Sequence, residues 1–223
     1  MYVTLSSAFT PAIAAPVGIP NPAPAQRRTL SVGAHLFREG DIANNIYEIT
    51  SGVFRLSRVL DDGRRQVIAF GLPGDIIGFP NGTVHHSDCE AIQAGAVISH
   101  RRHTLDTLKG DDATHQRLLH AALREISAMQ DHLMMLGRKS AMEKVASFLV
   151  TLSDRIGTCR DELTRCALPM SRADIADFLG LTIETVSRTL TRLRKAGVIA
   201  FDRAQTVLIK DKDALLSAAQ ARV

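Results

Sequence analysis

The chain has 223 residues, of which 45% are hydrophobic and 22% charged, as is ordinary for a soluble globular protein. Its length suits one large domain or two small ones. No apolar run reaches the roughly 18 residues that a membrane helix needs. Met1–Ala25 begins without a basic residue and contains five prolines, which predicts a disordered tail over residues 1–26 rather than a signal peptide. We therefore expect a cytoplasmic protein with no membrane partner.

The net charge of +4 is concentrated in the last third of the chain. Residues 1–138 carry 13 Lys and Arg against 13 Asp and Glu, whereas residues 139–223 carry 14 against 10. The excess of basic residues is what a domain that faces a polyanion would show.

Short apolar runs separated by turn signals follow the tail, which predicts many short strands and a small antiparallel barrel or roll over residues 27–112. The turn signals include Ser51-Gly52 and Asp62-Gly63, and the second of these predicts a β-hairpin. The apolar runs are Ile46–Ile49, Val53–Leu56, Gln66–Phe70 and Ala94–Ile98.

The apolar spacing then changes to that of a long helix over residues 113–138. Six apolar residues follow one another at intervals of three or four, which is the heptad pattern of a coiled coil. The helix either packs on its own roll or meets its twin across a two-fold axis, and the regular spacing favours the dimer. The seam consists of Leu119, Ala122, Ile126, Met129, Leu133 and Leu136.

A helix-turn-helix is predicted within residues 139–223. Ser171 and Asp174 form a capping box at the start of a short helix, and Gly180 supplies the left-handed residue that ends it. Thr182 caps a second helix, which runs to Ala196. In this motif the second helix lies in the major groove of DNA. A wing of two strands, Val198–Phe201 and Thr206–Lys210, is expected to follow.

The second predicted helix has an apolar face, which includes Ile183, and an opposite polar face that suits base recognition. Arginine can bond the guanine edge and glutamate can accept from cytosine, so Arg188 and Glu184, together with Ser187, are predicted to read bases. A plain surface salt bridge between Glu184 and Arg188 is the alternative. The residues predicted to contact the DNA backbone are Ser171, Arg172, Thr182, Thr185, Thr191, Arg192, Arg194 and Lys195.

The run from Leu179 to Arg188, Leu-Gly-Leu-Thr-Ile-Glu-Thr-Val-Ser-Arg, resembles the recognition element of the Crp/Fnr superfamily, in its Fnr and FixK branch. The likeness covers about residues 28–212. In the front half it rests on Gly40-Asp41, Tyr47–Gly52, the run from Asp62 to Gln66, and the run from Leu72 to Ile76, which resemble the family's cyclic-nucleotide-binding-like β-roll. The resemblance implies an α+β chain with this roll, a long dimerisation helix and a C-terminal winged helix-turn-helix.

As function, the resemblance implies a transcription regulator and not an enzyme. It implies a homodimer that binds double-stranded DNA at a palindrome like TTGAT-N4-ATCAA and contacts RNA polymerase.

Two departures from the family bear on how the activity of the protein is controlled. Ile77–Pro80 and His86–Cys89 lack the phosphate-binding arginine, so no cyclic nucleotide is expected. No cysteine precedes Cys89, so no iron–sulfur cluster and no other cofactor is expected. What remains resembles FixK-type activators of low-oxygen, nitrogen-fixation or denitrification genes.

Four histidines, His85, His86, His100 and His103, leave open a haem- or nitric-oxide-sensing regulator of the same family. His85 and His86 would point to opposite faces of an extended segment, which suits joint ligation poorly, and His100 is expected to be solvated at the connection after the roll. A cupin-like metal enzyme is the remaining alternative, but the chain contains no His-x-His.

The odd number of cysteines, without a CxxC pair, predicts reduced thiols. Cys166 lies five residues before the capping box, where its oxidation could weaken DNA binding. The alternative is an inert, small apolar residue. Cys159 is expected to be exposed.

Overall fold

A computed structural model describes residues 26–80, 82–102, 112–160, 163–203 and 205–220. Apart from Gln26, the expected disordered tail lies outside the described residues, as does His103. The elements of the first part are β1 (Gln26–Leu30), β2 (His35–Phe37), β3 (Asn45–Val59), β4 (Arg65–Gly71), β5 (Ile76–Ile77), β6 (Asp88–Arg101) and helix α1 (Asp112–Arg138). Those of the second part are α2 (Ala141–Ile156), β7 (Thr158–Arg160), β8 (Leu163–Ala167), α3 (Arg172–Leu179), α4 (Ile183–Lys195), β9 (Ile199–Arg203), β10 (Thr206–Ile209) and α5 (Lys212–Ala219).

The strands of the first part form an antiparallel roll with the order β1-β6-β3-β4, in which β2 also pairs with β6 and β5 with β3. The hairpin predicted at Asp62-Gly63 joins β3 to β4. Its turn is closed by a 2.8 Å bond from the Leu60 amide to the Arg64 carbonyl, and Gly63 takes a φ of +80°. The roll and its hairpin therefore agree with the sequence prediction.

The turn predicted at Ser51-Gly52 is wrong, because both residues lie inside the 15-residue strand β3. The pairing of β3 with β6 shifts register on either side of Ser51. Gly52 has a φ of +81°, and a Cβ there would lie 2.5 Å from the Gly95 Cα. A β-bulge, for which glycine is also the preferred residue, thus replaces the turn. The apolar run Ala94–Ile98 is the central part of β6, which extends from Asp88 to Arg101.

Helix α1 divides its apolar residues between two faces. Leu118 and Ala121 pack against Ile46 and Ile76 of the roll, and Met135 packs into the buried cluster that the roll shares with the second part. The predicted seam lies on another face. Its large residues Leu119, Ile126, Met129 and Leu133 are exposed, and Leu136 is half-buried. The seam is not closely packed on the roll: Ala122, Ile126, Met129 and Leu133 line a cavity between the roll and α1, whereas Leu136 also packs against the buried core.

The second part combines helices with a four-stranded sheet in the order β7-β8-β10-β9. The predicted wing is present as β9 and β10, which pair antiparallel. In the structure α2 continues to Ile156, and β7 and β8 form a further hairpin beside β10.

One hydrophobic core joins the two parts. Phe70 of β4 lies 5.3 Å from Phe178 of α3 between ring centroids, and Phe148 of α2 lies 5.9 Å from Phe178. Val67 and Leu72 of the roll belong to the same buried cluster. The helix-turn-helix is thus packed directly onto the roll.

Candidate nucleic-acid interface

Helix α3 starts and ends as its sequence predicts. The Ser171 hydroxyl accepts from the Asp174 amide at 3.1 Å, and the Asp174 carboxylate accepts from the Ser171 amide at 3.0 Å. Gly180 at the other end takes the left-handed conformation with a φ of +60°. Ile175, Ala176 and Leu179 are buried, as expected for the inner face.

Helix α4 follows after a two-residue turn. The Thr182 hydroxyl caps it by accepting from the Thr185 amide at 3.2 Å. Val186, Leu190 and Leu193 are buried and fix the helix to the core. Ile183, which the spacing places on the same apolar face, is exposed together with residues 182 and 184, because the first turn of α4 projects out of the core.

The three predicted base-reading residues, Glu184, Ser187 and Arg188, are all exposed on the outer face of α4. Hydrogen bonds from the backbone amide of Glu184 and from the Thr182 side chain, with a smaller attraction from Arg188, lower the pKa of the Glu184 carboxyl. The carboxylate therefore stays ionised at neutral pH and keeps its acceptor atoms at the first turn of the helix. Such an arrangement can bond to base edges.

The residues predicted to contact the DNA backbone surround this face, but they differ in solvent exposure and in the contacts they make within the protein. Arg192, Arg194 and Lys195 are exposed. The Thr191 hydroxyl donates to the Ser187 carbonyl at 2.9 Å. Arg172 is partly buried over the ring of Phe201 in the wing, 5.0 Å from its centroid, and desolvation lowers the pKa of its guanidinium. Of the others, Ser171 and Thr182 are exposed and Thr185 is partly buried.

Cys166 lies in β8 and is only 1% exposed. Burial raises the pKa of its thiol to about 12. Because the thiolate is the reactive form, this environment favours the inert interpretation of Cys166 over the redox switch. Cys159 is exposed, as predicted.

We expect peroxide treatment to leave DNA binding by the native protein unchanged, since the buried Cys166 thiol is held protonated. The check is mass spectrometry of Cys166 alongside an anisotropy titration, before and after peroxide. Oxidation of Cys166 in the folded protein together with loss of binding that a thiol reductant restores would contradict this expectation.

The histidines of the roll are placed apart. His85 is buried and stacks on Phe37 with 3.8 Å between ring centroids, whereas His86 is exposed. The expectation that His100 is solvated is wrong, because it lies in β6 and its Nε2 is 3.1 Å from Glu48. Within the described ranges no group of three or more His, Cys, Asp or Glu side chains is arranged to hold a metal ion.

A cavity of about 930 Å³ separates the roll from α1 and was not anticipated from the sequence. Apolar side chains of the roll and of α1 form most of its lining, with His132 among the polar groups. Asp88, in the stretch His86–Cys89, accepts from the Glu39 amide at 2.9 Å. Asp88 thus holds a turn of the roll.

Sequence reasoning also missed the contacts that hold α3 on the roll. Arg55 and Arg65 of β3 and β4 form ion pairs with Asp174 and Asp177 of α3. The partners are more than 100 residues apart in the chain, so no local pattern could have joined them.

Comparison with known proteins agrees with this geometry. Residues 143–218 match the Crp-like helix-turn-helix domain, and residues 27–110 match the cyclic nucleotide-binding domain. The chain is 42% identical over 184 residues to the nitrogen fixation regulation protein FixK of Azorhizobium caulinodans, covering 82% of this chain and 74% of that protein. It is 41% identical over 186 residues to the transcriptional activatory protein AadR of Rhodopseudomonas palustris, covering 82% and 78%.

Among solved structures, FixK2 from Bradyrhizobium japonicum superposes with a TM-score of 0.82 at 35% identity, covering 90% of this chain and 100% of that one. A roll of this type followed by a Crp-like helix-turn-helix defines a DNA-binding transcription regulator rather than an enzyme. The chain belongs to the Crp/Fnr superfamily, in its FixK-like branch. No helix within the described residues is long and apolar enough to cross a membrane.

Proposed function

We propose that the protein is a homodimeric activator of low-oxygen, nitrogen-fixation or denitrification genes, which acts in the cytoplasm at sites like TTGAT-N4-ATCAA and contacts RNA polymerase. The observation that carries the DNA-binding part is α4, a capped helix with a buried inner face and with Glu184, Ser187 and Arg188 exposed outside. The names of its relatives, which include nitrogen fixation regulators and a transcriptional activatory protein, support the choice of genes and of activation.

The exposed face of α1 supports the homodimer. Its apolar side chains lie on a single stripe of the helix, and Leu133 is 71% exposed in the single chain. A contiguous apolar stripe at heptad spacing is the surface that a second copy of the same helix covers. The exposed members of the stripe are Leu119, Leu123, Ile126, Met129, Leu133 and Met134.

The polar face of α4 accounts for the half-site. Arg188 suits the O6 and N7 atoms of the guanine in TTGAT, and Glu184 suits the N4 amino group of the cytosine paired to it. Arg192, Arg194 and Lys195 at the other end of the helix would hold phosphates, which position the protein without reading sequence. The exposed residues Ser171 and Thr182, at the starts of α3 and α4, are the remaining contacts proposed for the DNA backbone.

We propose that binding needs no cyclic nucleotide or other cofactor. Ion pairs and a shared hydrophobic core join α3 to the roll, and both partners of each contact belong to the chain itself. Asp88 supports this proposal as well, because a carboxylate near the phosphate position would repel a nucleotide phosphate.

Replacing Arg188 with alanine should cost about 1–3 kcal/mol of binding and relax discrimination at one base pair, because a bidentate contact to guanine is lost. Fluorescence anisotropy on duplexes that vary the guanine of the half-site measures both effects at one salt concentration.

Arg194→Ala is the matched control. It removes the same charge from the same helix but is expected to weaken binding to all duplexes alike, since a phosphate contact carries no sequence information. If Arg188→Ala keeps full discrimination among the duplexes, the assignment of Arg188 as a base reader fails.

A further inference from the structure

The helices α3 and α4 together form the helix-turn-helix, here called the reading head. Its first helix, α3, is joined to the roll by a cluster of ion pairs. Arg65 donates to Asp177 through Nε at 2.9 Å and Nη2 at 2.7 Å. Arg65 Nη2 and Arg55 Nη1 also reach Asp174 Oδ1, at 2.8 and 2.6 Å. Gln66 adds a bond from its side-chain amide to the Asp177 carbonyl. All the donors lie on the paired strands β3 and β4, and all the acceptors lie on α3.

The cluster has a buried and a more exposed half, since the side chains of Arg65 and Asp177 are 31% and 30% exposed. The side chains of Asp174 and Arg55 are only 7% and 13% exposed. Burial opposes ionisation of Asp174, but hydrogen bonds from Ser171 and the attraction of Arg55 outweigh it and lower the pKa of this carboxyl. Arg55 is held in turn by Glu90 at 2.6 Å. Charge-assisted bonds of this kind are short and directional, so they fix an orientation and not only a contact.

Phe178 of α3 packs against rings of α1 and of the roll. Phe178 stacks on His132 of α1 at 4.3 Å and packs on Phe70 of the roll at 5.3 Å. Apolar packing stabilises the junction, but it is non-directional. Helix α4 shares the core of α3 through Val186 and Leu190. A rotation of α3 on the roll would therefore carry the recognition helix with it.

We infer that Arg55 and Arg65 are positioning residues for DNA recognition: by binding Asp174 and Asp177 they fix the angle of the reading head on the roll. In the dimer, that angle sets the spacing and the twist between the two recognition helices. The inference rests on the proposed homodimer and palindrome. Arg55 and Arg65 touch no base; they determine which separation of half-sites the protein accepts.

The geometry of DNA makes this role measurable. Half-sites are read from one face when they lie about one turn, or 10–10.5 base pairs, apart. A spacer changed by one base pair rotates one half-site relative to the other by about a tenth of a turn. Two recognition helices held at a fixed angle cannot follow this rotation. When two linked sites cannot be engaged together, the gain from bivalent binding, about 10²- to 10⁴-fold, is lost.

The test uses the Arg65–Asp177 pair, because Asp174 also caps α3 and its replacement would disturb the helix itself. Full-length wild type, Arg65→Asp, Asp177→Arg and the double variant are titrated on palindromes with three, four and five spacer base pairs and on a single half-site. Arg64→Asp is the matched control, since Arg64 is the neighbouring hairpin arginine and pairs only with Asp62 of the same turn in the described contacts.

Wild type and Arg64→Asp should prefer the four-base-pair spacer by about tenfold or more, within the bivalent range. The two single variants should bind the half-site as wild type does but lose most of the spacer preference. The double variant should recover part of it, because the reversed pair restores the attraction between positions 65 and 177 but leaves the new carboxylate at position 65 near Asp174. A purely stabilising role would lower all affinities together and leave the spacer ratio unchanged.

Unchanged spacer preference in both single variants, with wild type discriminating, would overturn the positioning role. A wild type that binds the palindrome no better than the half-site would instead refute the proposed function. Loss of half-site binding in Arg65→Asp would show that the pair supports the fold of the head, and would also overturn the inference.

Discussion

Aspartate at both Ile126 and Leu133 is expected to convert the protein into a monomer and to weaken binding to the palindrome by about 10²- to 10⁴-fold, the range that bivalent attachment contributes. Both side chains belong to the exposed apolar stripe of α1. Two carboxylates on each copy would have to be desolvated next to those of the twin helix, which costs far more than the apolar contact gains. Sedimentation velocity and anisotropy on the palindrome measure the two effects.

The control for this pair is Arg124→Asp, on the polar side of α1, where the side chain is exposed and does not share the apolar stripe. It should stay dimeric and bind the palindrome within a few-fold of wild type. A dimer that persists in the Ile126→Asp, Leu133→Asp variant, with full affinity for the palindrome, would place the dimer contact elsewhere.

Phe178→Ala is expected to destabilise the folded protein by about 3–5 kcal/mol, the usual cost of removing a buried phenylalanine. The ring is fully buried and touches Phe70 of the roll, Phe148 of α2 and His132 of α1. The cavity left behind would open at the junction of all three. Urea unfolding followed by circular dichroism and by the intrinsic fluorescence of the tyrosines measures the loss.

Because one core contains side chains of the roll and of the DNA-binding part, both are expected to lose stability together. Leu216→Ala on α5 is a suitable comparison, since that side chain is 36% exposed and should cost much less. A loss below about 1 kcal/mol for Phe178→Ala, within the range of tolerated volume-conserving changes, would contradict the view that this ring joins the two parts.

The reading head could be predicted from the sequence because its signals are local. Ser171, Gly180 and Thr182 each act on backbone groups within four residues, so the capping box, the left-handed turn and the second cap need no tertiary information. The apolar stripe of α1 is of the same kind, since helical periodicity alone places its members on one face.

The features that escaped prediction depend on long-range partners. Ser51-Gly52 has the composition of a turn, but the close approach of Gly95 on β6 turns it into a bulge within a strand. The strands β7 and β8 are short and lack an apolar alternation of their own; β8 pairs with β10, and β7 pairs with β8. The ion pairs of Arg65 with α3 connect residues 109 and 112 positions apart.

The most direct test of the account is a fluorescence anisotropy titration of the ligand-free protein, at fixed salt, on a TTGAT-N4-ATCAA duplex and on a scrambled duplex of equal composition. We expect the palindrome to bind at least about 10³-fold more tightly, as specific regulators do relative to nonspecific DNA. Equal affinity for the two duplexes would contradict both the assigned half-site and the proposal that no cofactor is needed.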